Sequence, residues 1–227
     1  MSLVILIDLD DTLTDRSAAF DAWAVPFLVT HARPATELAR LRELDRRGLR
    51  PRDEFLRLTL QHLALDLDVR TELATYRAKT GAPPLQYGVR DRLAAIRGHG
   101  GTIVVLTNGV SAVQRRKLRA TGLMRVVDDV IVSEEVELAK PDPRIYGVAL
   151  LRVGASAVED QVWMVGDNPD TDVRGALEAG LHAAWVNPLR KTWKGRPKPD
   201  LDLPSTAECL DRIAGTRLLP VPEGIGR

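Results

Sequence analysis

Ile5-Leu6-Ile7-Asp8-Leu9-Asp10-Asp11-Thr12-Leu13-Thr14 is the stretch that decides the fold. A short apolar run breaks abruptly into acids, and the carboxyl end of a strand is where a parallel α/β sheet binds its ligands. In extended backbone, side chains two apart share a face, so Asp8 and Asp10 point together into a crevice while Leu9 points away. Two like charges about 4 Å apart cost about 4 kcal/mol at an effective dielectric of about 20. Such a pair persists only if a cation sits between its members or one of them keeps its proton. A magnesium site with a nucleophilic carboxylate beside an acid/base carboxylate meets that demand. The competing reading is that Asp8 to Asp11 end a strand and cap the next turn, where Asp and Thr make favourable local hydrogen bonds.

The surrounding chain is that of a water-soluble globule. With 227 residues, 44% of them hydrophobic, it can bury a full core as one large domain or two small ones. Lys and Arg number 32 against 31 Asp and Glu, a formal charge of +1, so no overall field recruits nucleic acid or anionic lipid. The opening apolar run is too short for a signal segment and no later stretch approaches a membrane span, so a cytoplasmic location is expected. The lone Cys209 falls in a predicted helix over 206–213 and reads as a buried, inert thiol.

From residue 14 to about 80 the composition is that of helices. Phe20, Trp23, Phe27 and Leu28 recur at helical spacing, although Pro26 should kink or end that helix. Leu38, Leu41 and Leu44 mark a second helix opened by Pro34; Leu56, Leu60 and Leu63 mark a third opened by Pro51. Val69, Leu73 and Tyr76 mark a fourth, and four short helices pack as a small bundle. Arg16 reads as a first-turn surface charge, and Arg46, Arg47, Arg50 and Arg52 as a solvated face. Gly81-Ala82-Pro83-Pro84 then breaks the pattern as a linker.

From there strands predicted over 102–106, 130–132, 162–165 and 183–186 alternate with helices, which means a parallel, helix-covered sheet. The helix from Ser111 carries a capping box, Ser111-Ala112-Val113-Gln114, and another is predicted over 172–179. The domain reading is a catalytic core of 1–13 and 89–227 with a helical module of 14–88 inserted. The tail beyond Thr216, with Pro220, Pro222, Gly224 and Gly226, reads as loosely ordered.

Three further segments place polar groups just past predicted strands. Thr107-Asn108-Gly109 offers a hydroxyl, an amide and a flexible backbone at a helix start, all suited to phosphate oxygens, and it equally suits an ordinary turn. Lys140, ahead of Pro141-Asp142-Pro143, would offset the repulsion between an aspartate nucleophile and an anionic substrate. In Gly166-Asp167-Asn168-Pro169-Asp170-Thr171-Asp172, Asp167 could add a third carboxylate to a metal held by the first strand. Asp172 would cap the next helix, or orient Lys140 or a metal-bound water.

These four segments, in this order and each after a strand, resemble the motifs of the haloacid dehalogenase superfamily: Asp-x-Asp-x-Thr, a Ser or Thr, a Lys, and Gly-Asp with a further acid. Asp8-Leu9-Asp10-Asp11-Thr12 matches the first, Thr107 the second, Lys140 the third, and Asp167 with Asp172 the fourth. The helical insertion resembles the superfamily's type 1 cap. The resemblance implies a Rossmann-like parallel sheet in the order 3-2-1-4-5, flanked by helices, with the cap moving about 13–17 and 81–88. It also implies a Mg2+-dependent phosphatase acting on small phosphorylated metabolites through an aspartyl-phosphate, with Asp8 as nucleophile and Asp10 as acid and base. Metal ligands would be Asp8, Asp167 and the backbone carbonyl of Asp10, with Thr107, Lys140 and the backbone at Asn108 on the phosphoryl oxygens. The acid at position 10 argues against halide chemistry. A phosphomutase, or a regulatory domain that takes up phosphate without turnover, remains an alternative. The expected protein is a monomer or homodimer that binds neither nucleic acid nor membrane.

Overall fold

The apolar run at the start forms β1 (Leu3–Ile7) in the computed structural model, which describes residues 2–48 and 50–215 apart from the Arg47 side chain. The tail expectation beyond Thr216 lies outside the described residues. After β1 come four helices, α1 (Arg16–Thr30), α2 (Glu37–Asp45), α3 (Arg52–His62) and α4 (Val69–Thr80). The chain continues as α5 (Val89–Gly98), β2 (Thr102–Thr107), α6 (Ser111–Ala120), β3 (Asp129–Val132), the short α7 (Ser133–Val136) and α8 (Pro143–Arg152). It closes with β4 (Gln161–Gly166), α9 (Gly175–Glu178), β5 (His182–Val186), β6 (Leu201–Leu203) and α10 (Thr206–Ile213). Two compact units result: one runs to Thr14 and resumes at Leu85, and the other is Asp15–Pro84.

The first unit is one parallel sheet in the order β3-β2-β1-β4-β5-β6. Its first five strands follow the predicted order, and β6 extends the edge. Three residues, Leu201-Asp202-Leu203, are too few to show the alternation that identifies a strand, so β6 was not legible. Successive side chains of β1 feed opposite cores. Ile5 and Ile7 pack with Leu93, Leu118 and Leu210 on one face, and Val4 and Leu6 with Ile145, Tyr146 and Ala176 on the other. Burying each such side chain contributes about 1.5–3 kcal/mol. Ile7 pairs with Val105 of β2 and with Val165 of β4, so the segments after these three strands emerge side by side.

The helical unit packs around aromatic rings. Trp23 stacks on Phe27 with centroids 5.0 Å apart and meets Tyr76 edge-on at 5.0 Å. Pro26 does not end α1, which runs four residues past it. A helix-interior proline costs about 3 kcal/mol, and Phe27 and Leu28, both buried beyond it, offset that amount. Pro26 and Ala22 are both exposed, so the carbonyl deprived of its N–H partner faces water.

Two charge readings are corrected here. Arg16 is not a solvated surface charge, and Arg52 does not belong to a solvated face. Both guanidinium groups grip the buried carboxylate of Asp45, which also accepts a 2.9 Å bond from the Gly48 N–H. Arg52 in addition lies over the Tyr76 ring. Their partner is 29 residues from Arg16, beyond the reach of any local pattern.

Candidate active site

Asp8 is the first residue past β1, its N–H donating to the Val165 carbonyl at 3.0 Å, which pins it to the carboxyl edge of the sheet. Lys140 meets it there. The ammonium, its side chain 1% exposed, donates at 2.7 Å to Oδ1 of Asp8 and at 2.7 Å to Oδ1 of Asp172. Burial alone would lower the lysine's pKa, but the Asp172 and Asp8 charges outweigh it and hold the ammonium protonated. Burial pushes the Asp8 carboxyl up to about 8 against the opposing Lys140 charge, and Asp172 and Asp167 push the same way.

Ligand atoms of Asp8, Asp167 and Asp172 lie within 4.8 Å of one another. Asp8 and Asp172 share one buried ammonium, and Asp167 brings a third carboxylate to the same cluster. All of its donors are hard oxygens, the set that suits magnesium. Asp10's carboxylate is not part of this cluster. Both oxygens of Asp172 are already engaged, Oδ1 by Lys140 and Oδ2 by the Asn168 N–H at 3.0 Å. Asp172 is therefore bonded to the lysine and is not a helix cap. The cap there is Asn168, whose Oδ1 accepts from the N–H groups of Asp170 and Thr171. The helix predicted over 172–179 is instead a π-helical turn, Pro169–Arg174, followed by α9. That wider turn aims Asp172 inward. Gly166 makes room for it, since a Cβ there would lie 2.3 Å from Oδ2 of Asp172.

Thr107 ends β2 buried. Asn108 is placed differently from expectation in one respect. Its side-chain amide pairs with the backbone of Lys140, Nδ2 donating to the carbonyl and Oδ1 accepting from the N–H, both at 2.9 Å. The amide is thereby occupied in fixing the backbone of Lys140.

Thr12 was named in the first motif without a role, and Trp185, Gln114 and Lys117 were given no part in the site. Thr12 donates to Oδ1 of Asp167 at 3.3 Å, and the Trp185 indole N–H donates to the Asp167 carbonyl at 3.1 Å. Gln114 Nε2 reaches Oδ2 of Asp10 at 3.0 Å and Oγ1 of Thr107 at 2.8 Å. Lys117 Nζ lies 2.7 and 2.6 Å from the two oxygens of Asp10. The capping-box reading of Gln114 is corrected: α6 starts from Val110 with no side-chain cap, because Gln114 turns inward. The spacing of 114 and 117, one helical turn apart behind Asn108-Gly109, was the available signal.

A parallel sheet carrying Asp8 and Asp10 after β1, a hydroxyl at the end of β2, a lysine after β3, and Asp167 and Asp172 after β4 defines a class of hydrolase. The model of the haloacid dehalogenase-like hydrolases matches residues 3–180, and the chain belongs to that family. It is similar to phosphoserine phosphatase of Thermus thermophilus, 42% identical over 109 residues that make up 48% of this chain and 43% of the relative. It is also similar to pyrimidine 5'-nucleotidase YjjG of Escherichia coli, 41% identical over 100 residues, 44% of each chain. The matched stretches thus span less than half the length of these relatives. The magnesium-bound HAD-hydrolase YfnB of Bacillus subtilis shares the fold, with a TM-score of 0.77 over 95% of this chain and 99% of that one at 24% identity.

Proposed function

We propose that this protein is a magnesium-dependent phosphatase that hydrolyses phosphate monoesters of small metabolites through an aspartyl-phosphate. The observation that carries the reading is the Lys140 ammonium, buried and bonded at 2.7 Å to both Asp8 and Asp172. A cation fixed beside a carboxylate is what an acid needs in order to attack an anionic phosphoryl group.

With Oδ1 of Asp8 held by Lys140, Oδ2 is the attacking oxygen. It forms a bond to phosphorus as the bond from phosphorus to the ester oxygen breaks, and Asp10 gives its proton to the departing alkoxide. Asp10, now a carboxylate, takes a proton from water; that water attacks phosphorus, releasing inorganic phosphate and restoring Asp8. Asp8, Asp167 and the Asp10 carbonyl would hold magnesium, which supplies charge neutralisation at the phosphoryl oxygens. Thr107 Oγ1, the Asn108 N–H and Lys140 would hold those oxygens, so most of the acceleration comes from positioning and electrostatics. The sheet unit is the catalytic core and the helical insertion its cap. The reading carries with it a cytoplasmic enzyme, monomeric or homodimeric. Among the described residues no helix is long and apolar enough to cross a membrane.

Phosphate release from a panel of phosphorylated metabolites with magnesium is the test. Turnover abolished by a chelator and by Asp8→Asn, and reduced at least about a hundredfold by Asp10→Asn, is expected. Stoichiometric phosphate uptake without turnover would instead identify a regulatory domain.

A further inference from the structure

We propose that Lys117, with Gln114, is a positioning residue for Asp10: a clip on the inner face of α6 that aims the acid/base carboxylate in both halves of the reaction. The inference rests on the phosphatase reading and adds to it a residue outside the four motifs.

Asp10 has to serve two atoms in turn, the ester oxygen and then a water oxygen, and it does so from a loop. That loop is short and bent, with Asp11 next to it in the left-handed region at φ +61°. A carboxylate on such a segment has several staggered rotamers available, and each unproductive one lowers the rate by the time spent in it. The structure shows what narrows the choice. Lys117 Nζ is 2.7 Å from Oδ1 and 2.6 Å from Oδ2, so the ammonium straddles the carboxylate instead of touching one corner. Gln114 Nε2 adds a 3.0 Å bond to Oδ2. These are short, charge-assisted contacts, and the Lys117 side chain is only 12% exposed, which sets the pair apart from a solvated surface ion pair.

The same clip ties two motifs together. Gln114 Nε2 also donates to Thr107 Oγ1 at 2.8 Å and to the Asn108 carbonyl at 3.2 Å. A single helix face therefore connects the carboxylate that moves protons to the hydroxyl and backbone that would hold the phosphoryl group. Because α6 starts four residues after Thr107, its inner face is fixed relative to that turn by the chain itself.

The test compares p-nitrophenyl phosphate, whose leaving group needs little proton assistance, with phenyl phosphate, whose leaving group needs much. In Lys117→Met, kcat/KM for phenyl phosphate is expected to fall at least about tenfold further than for p-nitrophenyl phosphate, with Lys117→Arg recovering most of the difference. Thermal unfolding of both variants shows whether the fold is kept, and a merely structural role would depress the two esters by one common factor. That common factor, no loss at all, or a gain would overturn the clip. If wild-type protein with magnesium hydrolyses neither ester nor any metabolite of the panel, the phosphatase reading fails and the clip with it; hydrolysis with leaving-group-independent losses overturns the clip alone.

Discussion

Lys140 is the side chain on which the most other groups depend. Replacing it by Met would leave Asp8 and Asp172 facing each other without their shared cation, and removing one partner of a buried ion pair costs about 3–5 kcal/mol. Lys140→Met is therefore expected to lower the stability of the metal-free protein by about that amount in chemical denaturation and to cut kcat by at least about a thousandfold. A second expectation concerns pH. The folded protein holds the Asp8 proton up to about pH 8, well above the ordinary carboxylate value of 3.8, so between these limits it binds more protons than the unfolded chain. The metal-free protein thus loses stability as pH rises through that window. Lys140 stays charged in both states there and does not alter the slope. Magnesium competes with that proton, so its effect on the thermal midpoint should be larger at pH 8 than at pH 5; an equal shift at both would count against a metal at Asp8. At this scale Asp8, Asp10 and Asp167 could be singled out because each is a charged group just past an apolar strand, whereas Lys140 lies eight residues beyond β3, past α7, and was singled out by the usefulness of an ammonium near the acids. Gln114 and Lys117 were not, since Ser-x-x-Gln at a helix start has a sufficient local explanation.

Elements set these side chains in place through their ends. The β4 to α9 junction combines a glycine, an Asn cap and a π-helical turn, and a regular helix beginning at Asp172 would have aimed that carboxylate elsewhere. Gly166→Ala forces Asp172 away from Lys140, and kcat/KM is expected to fall at least about tenfold. Gly98 supplies the contrast: an added Cβ there meets nothing within 4 Å, so Gly98→Ala should leave activity intact and stabilise by about 0.5–1 kcal/mol. Buried β1 and β2 were readable as continuous apolar runs. The end of α1 was misjudged because proline was weighed without the two buried side chains beyond it, and β6 because three residues carry no period.

For the molecule as a whole, each unit carries its own core and its own buried charge. Asp8, Asp172 and Lys140 lie in the sheet unit; Asp45, with Arg16 and Arg52, lies in the helical one. Asp45→Ala would remove the carboxylate that Arg16 and Arg52 share, and a loss of about 2–3 kcal/mol is expected, read as faster hydrogen exchange within 15–84 and unchanged protection in β1 and β4. Cys209, whose thiol burial pushes up to about 12, should stay unreactive toward thiol reagents in the folded protein. On the proposed mechanism phosphate passes through a covalent bond to Asp8. Acid-quenching the protein during turnover with magnesium and mapping its peptides by mass spectrometry should find phosphate on Asp8, absent in Asp8→Asn, whereas sustained phosphate release with Asp8 unmodified, or undiminished in Asp8→Asn, would rule the covalent step out.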